Sequence, residues 1–318
     1  MKINIGAVMR RIDWRTRVLL AALALLVFAL FRPSAQVNRE ILNSVFIVDI
    51  SQSMNTRDYL VDDKPTSRIV VVKNLLRKSL RELPCGSRMG LAIFAEYRSF
   101  LLLSPVEVCS NYAELSASID HISGRMAWAG GSEVAKGLNW GLKMAVEIQP
   151  RPTIVFLTDG HEAPPINLRN RPRIDVKSGE VHGILIGVGS DELSPIPKFD
   201  PDGQALGYWQ AHEVAQIDVY SQGRGGSVSG EKTADADQSE TKKRTPTEHL
   251  SSVKESYLRQ LAQENALSYA RLTLPGDLAK MLSAANITQR ASVPTPISWL
   301  PALFALAAIL FTYFWRPR

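Results

Sequence analysis

The chain is short of the side chains that most often do chemistry near neutral pH, with five histidines and two cysteines in 318 residues. His121, His182, His212 and His249 stand at no metal-ligand spacing, and neither an H-E-x-x-H zinc helix nor a G-x-S-x-G nucleophile turn occurs. The hydrolases built on those patterns are thereby excluded. No internal repeat is present, which removes solenoid and propeller architectures. The middle of the chain also lacks a charge excess. Lys and Arg number 37 against 31 Asp and Glu, for a net +6, but residues 1–17 hold +4 and residues 316–318 hold +2, leaving 18–315 balanced at zero. A nucleic-acid-binding domain carries its basic excess where phosphates dock, so nucleic acid is not expected among the partners.

What is present begins at the two ends. Ile297–Trp315 is nineteen residues without a charge, about 28 Å as a helix against a hydrocarbon core of about 30 Å. Trp299, Tyr313 and Trp315 sit at its margins, where interfacial anchors belong. Val18–Phe31 is a fourteen-residue apolar run, about 21 Å. It reads as an uncleaved anchor, because cleavage after Ala35 would put Pro33 at the −3 position of a signal-peptidase site. Basic residues flanking a span are retained in the cytoplasm. The expected organisation is a cytoplasmic basic tail (1–17), a transmembrane anchor (18–31), an exported domain, a transmembrane helix (297–315) and a second cytoplasmic tail (316–318). That is a bacterial inner-membrane protein with its domain in the periplasm.

Export suits the cysteines, since Cys85 and Cys109 would then lie in an oxidising compartment where pairing is permitted. Met89–Ala95 and Ser99–Leu103 flank Glu96-Tyr97-Arg98 and read as a β-hairpin centred near residue 97. The two cysteines are equidistant from that centre, and the cross-strand register predicts a disulfide between them.

Asn43–Ile50 is a continuous apolar run of strand length, as in a strand buried on both faces of a parallel sheet. Thr153–Thr158, His182–Val188 and Leu267–Leu272 read as strands as well. Helical spacing links Ile69, Val72, Leu76, Leu80 and Leu83, capped by Thr66 or Ser67, and links Val134, Leu138, Leu142 and Ala145, capped by Ser132. Asn111–Ile122, Glu255–Asn265 and Asp277–Ala284 are further helices. This alternation predicts an α/β fold: a doubly wound, mostly parallel, Rossmann-like sheet with one antiparallel edge strand from the hairpin, flanked by N- and C-terminal transmembrane helices. Ser221–Thr247, rich in Ser, Gly, Thr and charge, reads as a mobile insertion.

Ligands of open α/β sheets sit at the carboxyl ends of the strands. The first strand ends in Asp49-Ile50-Ser51-Gln52-Ser53, Thr153–Thr158 runs into Asp159-Gly160, and Ser132 follows Gly130-Gly131 at a helix start. Two carboxylates and three hydroxyls from three loops form an all-oxygen set suited to a hard divalent cation, most simply Mg²⁺, with Ca²⁺ or Mn²⁺ as alternatives. One coordination position would remain for an outside ligand. His161 and Glu162 follow directly and read as loop surface, Glu162 within reach of a metal. Asp200–Gly203 reads as a turn. Arg169, Arg171 and Arg173 could receive an acidic partner.

These motifs resemble those of the von Willebrand factor A (VWA) domain and its metal-ion-dependent adhesion site. VFIVDISQSM (45–54), the Gly-Gly-Ser at 130–132 and FLTDG (156–160) stand in that family's order, and the resemblance covers residues 43–285. It implies Asp49, Ser51 and Ser53 as first-loop ligands, Ser132 as the second and Asp159 as the third. The family usually has Thr where Ser132 stands, so the hydroxyl is kept while its rotamer is less restricted. A binding module rather than an enzyme is implied, the metal bridging to an Asp or Glu of a partner protein. The flanking spans resemble bacterial Bat-type proteins, which accompany MoxR-type ATPases, so other VWA proteins and such an ATPase are implied as partners. Residues 157–173 and 193–203 resemble the VWA proteins of methanol-oxidation (Mxa) clusters, implying a role in maturing a periplasmic quinoprotein dehydrogenase. The alternative is a Mg²⁺-dependent hydrolase of the haloacid-dehalogenase type. Such chemistry wants a carboxylate two residues after Asp49, where this chain has Ser51.

Overall fold

The computed structural model describes residues 13–127, 131–163, 165, 172–200, 202–214, 247–274 and 278–314. Its apolar runs become one sheet of six strands: Asn43–Asp49 (β1), Arg88–Ala95 (β2), Arg98–Glu107 (β3), Thr153–Thr158 (β4), Gly183–Gly187 (β5) and Ser268–Arg271 (β6). Their order is β6-β5-β4-β1-β2-β3. All neighbours are parallel except β2 and β3, as expected of a doubly wound sheet with one antiparallel edge strand.

The central strands are apolar on both faces because helices cover both. Phe46, Val48, Leu91, Val155 and Ile184 pack with residues of Arg68–Glu82 (α1), Tyr112–His121 (α2) and, later in the chain, Leu278–Ala284 (α5). The alternate residues Val45, Ile47, Phe94, Ile154 and Phe156 pack with Val134–Glu147 (α3) and Glu255–Glu264 (α4). The period of two along each strand thus assigns successive side chains to opposite cores. The first strand stops one residue short of the expected Ile50, whose N–H turns to Phe94 O at 3.0 Å. Ser67 stands at the cap position of α1 but its side chain makes no capping bond.

The hairpin turns tightly at Glu96, with φ +58, so that Ala95 opposes Arg98, and irregularities between Met89 and Ala92 shift the register farther out. Cys85 and Cys109 form the expected disulfide, with Cα atoms 5.3 Å apart. Short two-stranded ribbons were outside the expectation: Ser34–Ile41 with Gln289–Pro296, Tyr59–Val61 with Lys64–Thr66, Ser194–Pro195 with Leu250–Ser251, and Pro197–Phe199 with Ala205–Tyr208. They are short or largely exposed, so no hydrophobic alternation marks them.

The chain divides into two compact units, residues 41–289 and a terminal unit of residues 1–40 with 290–318. In the terminal unit the apolar runs form helices Trp14–Leu30 and Trp299–Phe314, of 17 and 16 residues, in contact through Trp14 and Phe311, whose ring centroids are 6.1 Å apart. The first ends where Arg32 takes φ +48 ahead of Pro33. No helix among the described residues is long and apolar enough to cross a membrane. This corrects the expected spans: at about 1.5 Å per residue each helix extends roughly 24–26 Å, short of a core of about 30 Å. Residues 221–246 of the expected insertion, Gly130, Arg169, Arg171, Trp315 and the tail 316–318 lie outside the described residues.

Gly137 lies on the inner face of α3, where an added Cβ would stand 2.2 Å from Phe94 Cδ2. Helix propensity favours Ala over Gly by about 1 kcal/mol, whereas overpacking against a buried ring costs about 1–3 kcal/mol. Gly137→Ala is therefore expected to destabilise the protein by about 1 kcal/mol in urea denaturation; a stabilised variant would contradict this packing.

Candidate metal centre

Asp49 is fully buried at the end of β1. Its Oδ1 accepts the Ser51 N–H at 2.8 Å, which folds the D-x-S-x-S loop back over the strand end. Its Oδ2 accepts the Thr158 hydroxyl at 2.6 Å, tying that loop to the end of β4. Ser51 Oγ and Ser53 Oγ are 3.2 Å apart. Ser132 exchanges backbone hydrogen bonds with Ala163, each 2.8 Å, and the Glu133 N–H reaches Glu96 O at 2.5 Å. The second loop is thereby held against the residues that follow β2 and β4. The Ser132 side chain is 2% exposed, and its Oγ has no hydrogen-bond partner among the described residues. It does not cap α3, where Glu133 takes the cap position. Burial, then the neighbouring charge of Asp159, push the Asp49 carboxyl up to about 7. Both Asp49 oxygens accept neutral donors.

Asp159 has a different environment. Its Oδ1 accepts the His161 N–H at 2.9 Å, and its Oδ2 accepts Arg68 Nη1 at 2.6 Å and Ser251 Oγ at 3.0 Å. Burial alone would raise its pKa, but the Arg68 guanidinium outweighs burial and holds the carboxyl below its ordinary range. Arg68 is the first residue of α1 and its side chain is 0% exposed. Its Nε and Nη2 fork onto Asp58, at 3.0 Å and 2.6 Å to Oδ2, and its Nη1 also donates to Ser251 Oγ at 2.7 Å. Asp58 in turn accepts the Ser190 N–H at 2.8 Å. Gly189, at φ +125, passes so close that a Cβ there would lie 2.8 Å from Arg68 Cζ.

Sequence reasoning brings the five oxygen residues to one sheet edge and misses Arg68, Asp58 and Ser251. A signal existed: a cation in the first turn of a helix opposes the macrodipole, and Arg68 therefore needs anionic partners nearby. His161 and Glu162 also depart from the expected loop surface, being 3% and 8% exposed. Instead of reaching toward a metal, Glu162 Oε1 accepts the Tyr257 hydroxyl at 2.5 Å and the Ala135 N–H at 3.2 Å, fastening the start of α3 to α4. Arg173 is exposed. The Gly203 N–H donates to Asp200 O at 3.0 Å, while Pro201 of the expected turn lies outside the described residues.

The oxygen-only donors at this edge fit a hard divalent cation. Among the described residues, the close grouping of His, Cys, Asp or Glu is Cys85, Glu107 and Cys109, elsewhere in the fold and with its sulfurs joined to each other. Residues 44–161 match the family profile of the von Willebrand factor type A domain. Those residues carry a VWA-type domain. No curated protein matches the chain. Among solved structures, the VWA-containing chain is similar to an aerotolerance-related membrane protein from Bacteroides fragilis, 17% identical over 77% of this chain and 98% of that one, with a TM-score of 0.47. It is also similar to a membrane-spanning protein from Vibrio fischeri, 15% identical over 77% and 96%, at a TM-score of 0.28. A third likeness is to a proximal thread matrix protein of mussel byssus whose adhesion-site motif is occupied by zinc, 20% identical over 48% and 38%, at 0.30.

Burial pushes Glu162 from 4.5 up to about 7. A carboxyl raised on folding contributes stability that is complete below its unfolded value and is lost as pH rises through its folded value. In chelator, the VWA domain is expected to lose melting temperature between about pH 4.5 and 7. Glu162→Gln, which keeps an acceptor for Tyr257 and Ala135, is expected to flatten the part of that slope not due to Asp49. Superimposable wild-type and Glu162→Gln profiles would refute the assignment.

Proposed function

We propose that residues 43–285 are a metal-dependent protein-interaction module in which Asp49, Ser51, Ser53, Ser132 and Asp159 hold a divalent cation. An Asp or Glu of a partner protein then completes the coordination shell. The observation that carries this reading is the Ser132 hydroxyl, buried without a hydrogen bond among the described residues. An unsatisfied buried hydroxyl costs about 1–3 kcal/mol, and a cation at this edge would satisfy it together with Asp49. Mg²⁺ suits the donor set best, Ca²⁺ and Mn²⁺ being the alternatives. Bound there, the ion supplies attraction for an incoming carboxylate. The chain's own residues shape the loops and exclude water from Asp49 and Asp159. No catalysis belongs to this reading, since Ser51 stands where a hydrolase would need an acid-base carboxylate.

The reading extends to place and partners. Helices Trp14–Leu30 and Trp299–Phe314 expose Leu20, Leu23, Phe28, Leu303, Phe304 and Leu306, side chains suited to lipid rather than water. We read them as an apolar surface by which the terminal unit associates with a membrane, with the VWA domain in the periplasm. The Cys85–Cys109 disulfide fits that oxidising compartment. The resemblance to Bat-type and Mxa-cluster proteins suggests assembly or maturation work beside a MoxR-type ATPase and other VWA proteins, with a periplasmic quinoprotein dehydrogenase as the client.

Asp49→Ala is expected to weaken Mg²⁺ binding at least about 100-fold in titration calorimetry while circular dichroism stays native. Unchanged Mg²⁺ affinity in that variant would remove the site from consideration.

A further inference from the structure

We propose that Arg68 is a positioning residue that sets how strongly the site draws a partner's carboxylate, by withdrawing the charge of Asp159 from the cation. This inference rests on the metal-binding reading above and deepens it. The two aspartates at the site differ in their counter-charges. Among the described residues Asp49 accepts from neutral donors, the Ser51 N–H and the Thr158 hydroxyl. Asp159 is paired with a guanidinium nitrogen 2.6 Å away, both side chains being 0% exposed. A divalent cation beside two uncompensated carboxylates would keep almost no net charge for a third. With Asp159 paired to Arg68, its charge counts only in part against the ion, and more positive charge remains for an incoming anion than two unpaired carboxylates would leave.

Asp58 acts in the opposite sense. It takes the Nε and Nη2 side of the same guanidinium and so shares the charge that Arg68 can lend to Asp159. Gly189 closes the cradle from the loop after β5, with no room for a side chain against Arg68 Cζ. The guanidinium is bonded on one side to Asp58 and on the other to Asp159, so its charge is divided between the two. Arg68 lowers affinity for the metal and raises the affinity of the metal-loaded site for a carboxylate.

The test is calorimetry on the full-length protein, titrating first with Mg²⁺ and then, at saturating Mg²⁺, with a hexaglutamate peptide as the anionic probe. Arg68→Met is expected to bind Mg²⁺ about tenfold tighter and, once loaded, the peptide about tenfold more weakly. Asp58→Asn is expected to move both affinities the other way, and it decides the matter by the same opposed signs if Arg68→Met does not fold. A merely structural role would lower both affinities together. That result in a natively folded variant, or a change in Mg²⁺ affinity with the peptide affinity unmoved, overturns the proposal. Absence of Mg²⁺ binding by the unsubstituted protein is a separate outcome, which overturns the metal reading and this inference with it.

Discussion

A guanidinium with no exposure to water is the constraint around which the binding edge is assembled. Arg68 joins the start of α1 to Asp58 and the Ser53 carbonyl in the loop after β1, to Asp159 after β4, and to Ser251 in the ribbon that pairs with Ser194. Asp58 carries the link on to Ser190 after β5. A buried charge left without its partner costs about 3–5 kcal/mol, so these segments are stable only together. The consequence for function is preorganisation. Loops distant in sequence are held by an internal cation before any external one arrives, and a metal entering this edge meets donors whose backbone is already fixed.

The hydroxyl and carboxylate donors around that clamp divide the work. Asp49 is buried with neutral hydrogen-bond donors and its proton is correspondingly hard to lose, whereas Asp159 is held ionised by Arg68. Two like residues at one sheet edge thus present different charge to an incoming cation. Glu162, three residues beyond Asp159, fastens the start of α3 through Ala135 and Tyr257. The loop that carries Ser132 is therefore set from both sides, by the Ala163 backbone and by the helix that follows it.

Much of this was legible in the residues. The run Val45–Val48 is apolar at every position because its successive side chains enter two different cores, and that pattern identifies a central parallel strand without a structure. The symmetry of Cys85 and Cys109 about residue 97 sufficed for the disulfide because the register shifts in the hairpin are small. Arg68 was not legible as a clamp, since its partners are 10, 91 and 183 residues away and only its awkward place at a helix N-terminus marks it. The burial of Glu162 is hidden for a similar reason: it is bonded to Tyr257, 95 residues away, and nothing local to residues 159–163 encodes that contact. The terminal helices follow the apolar runs in position: the first starts four residues earlier than its run, at Trp14, and ends at Leu30 ahead of Arg32 and Pro33, and the second covers Trp299–Phe314.

The account stands on a divalent cation at the carboxyl edge of β1 and β4. Anomalous diffraction from crystals of the protein grown with Mn²⁺ tests it most directly. The account predicts a peak among the carboxylates of Asp49 and Asp159 and the hydroxyls of Ser51, Ser53 and Ser132, with Arg68 still on Asp159 Oδ2. Ordered loops with no peak at that edge, or a peak confined to another part of the protein, would contradict it.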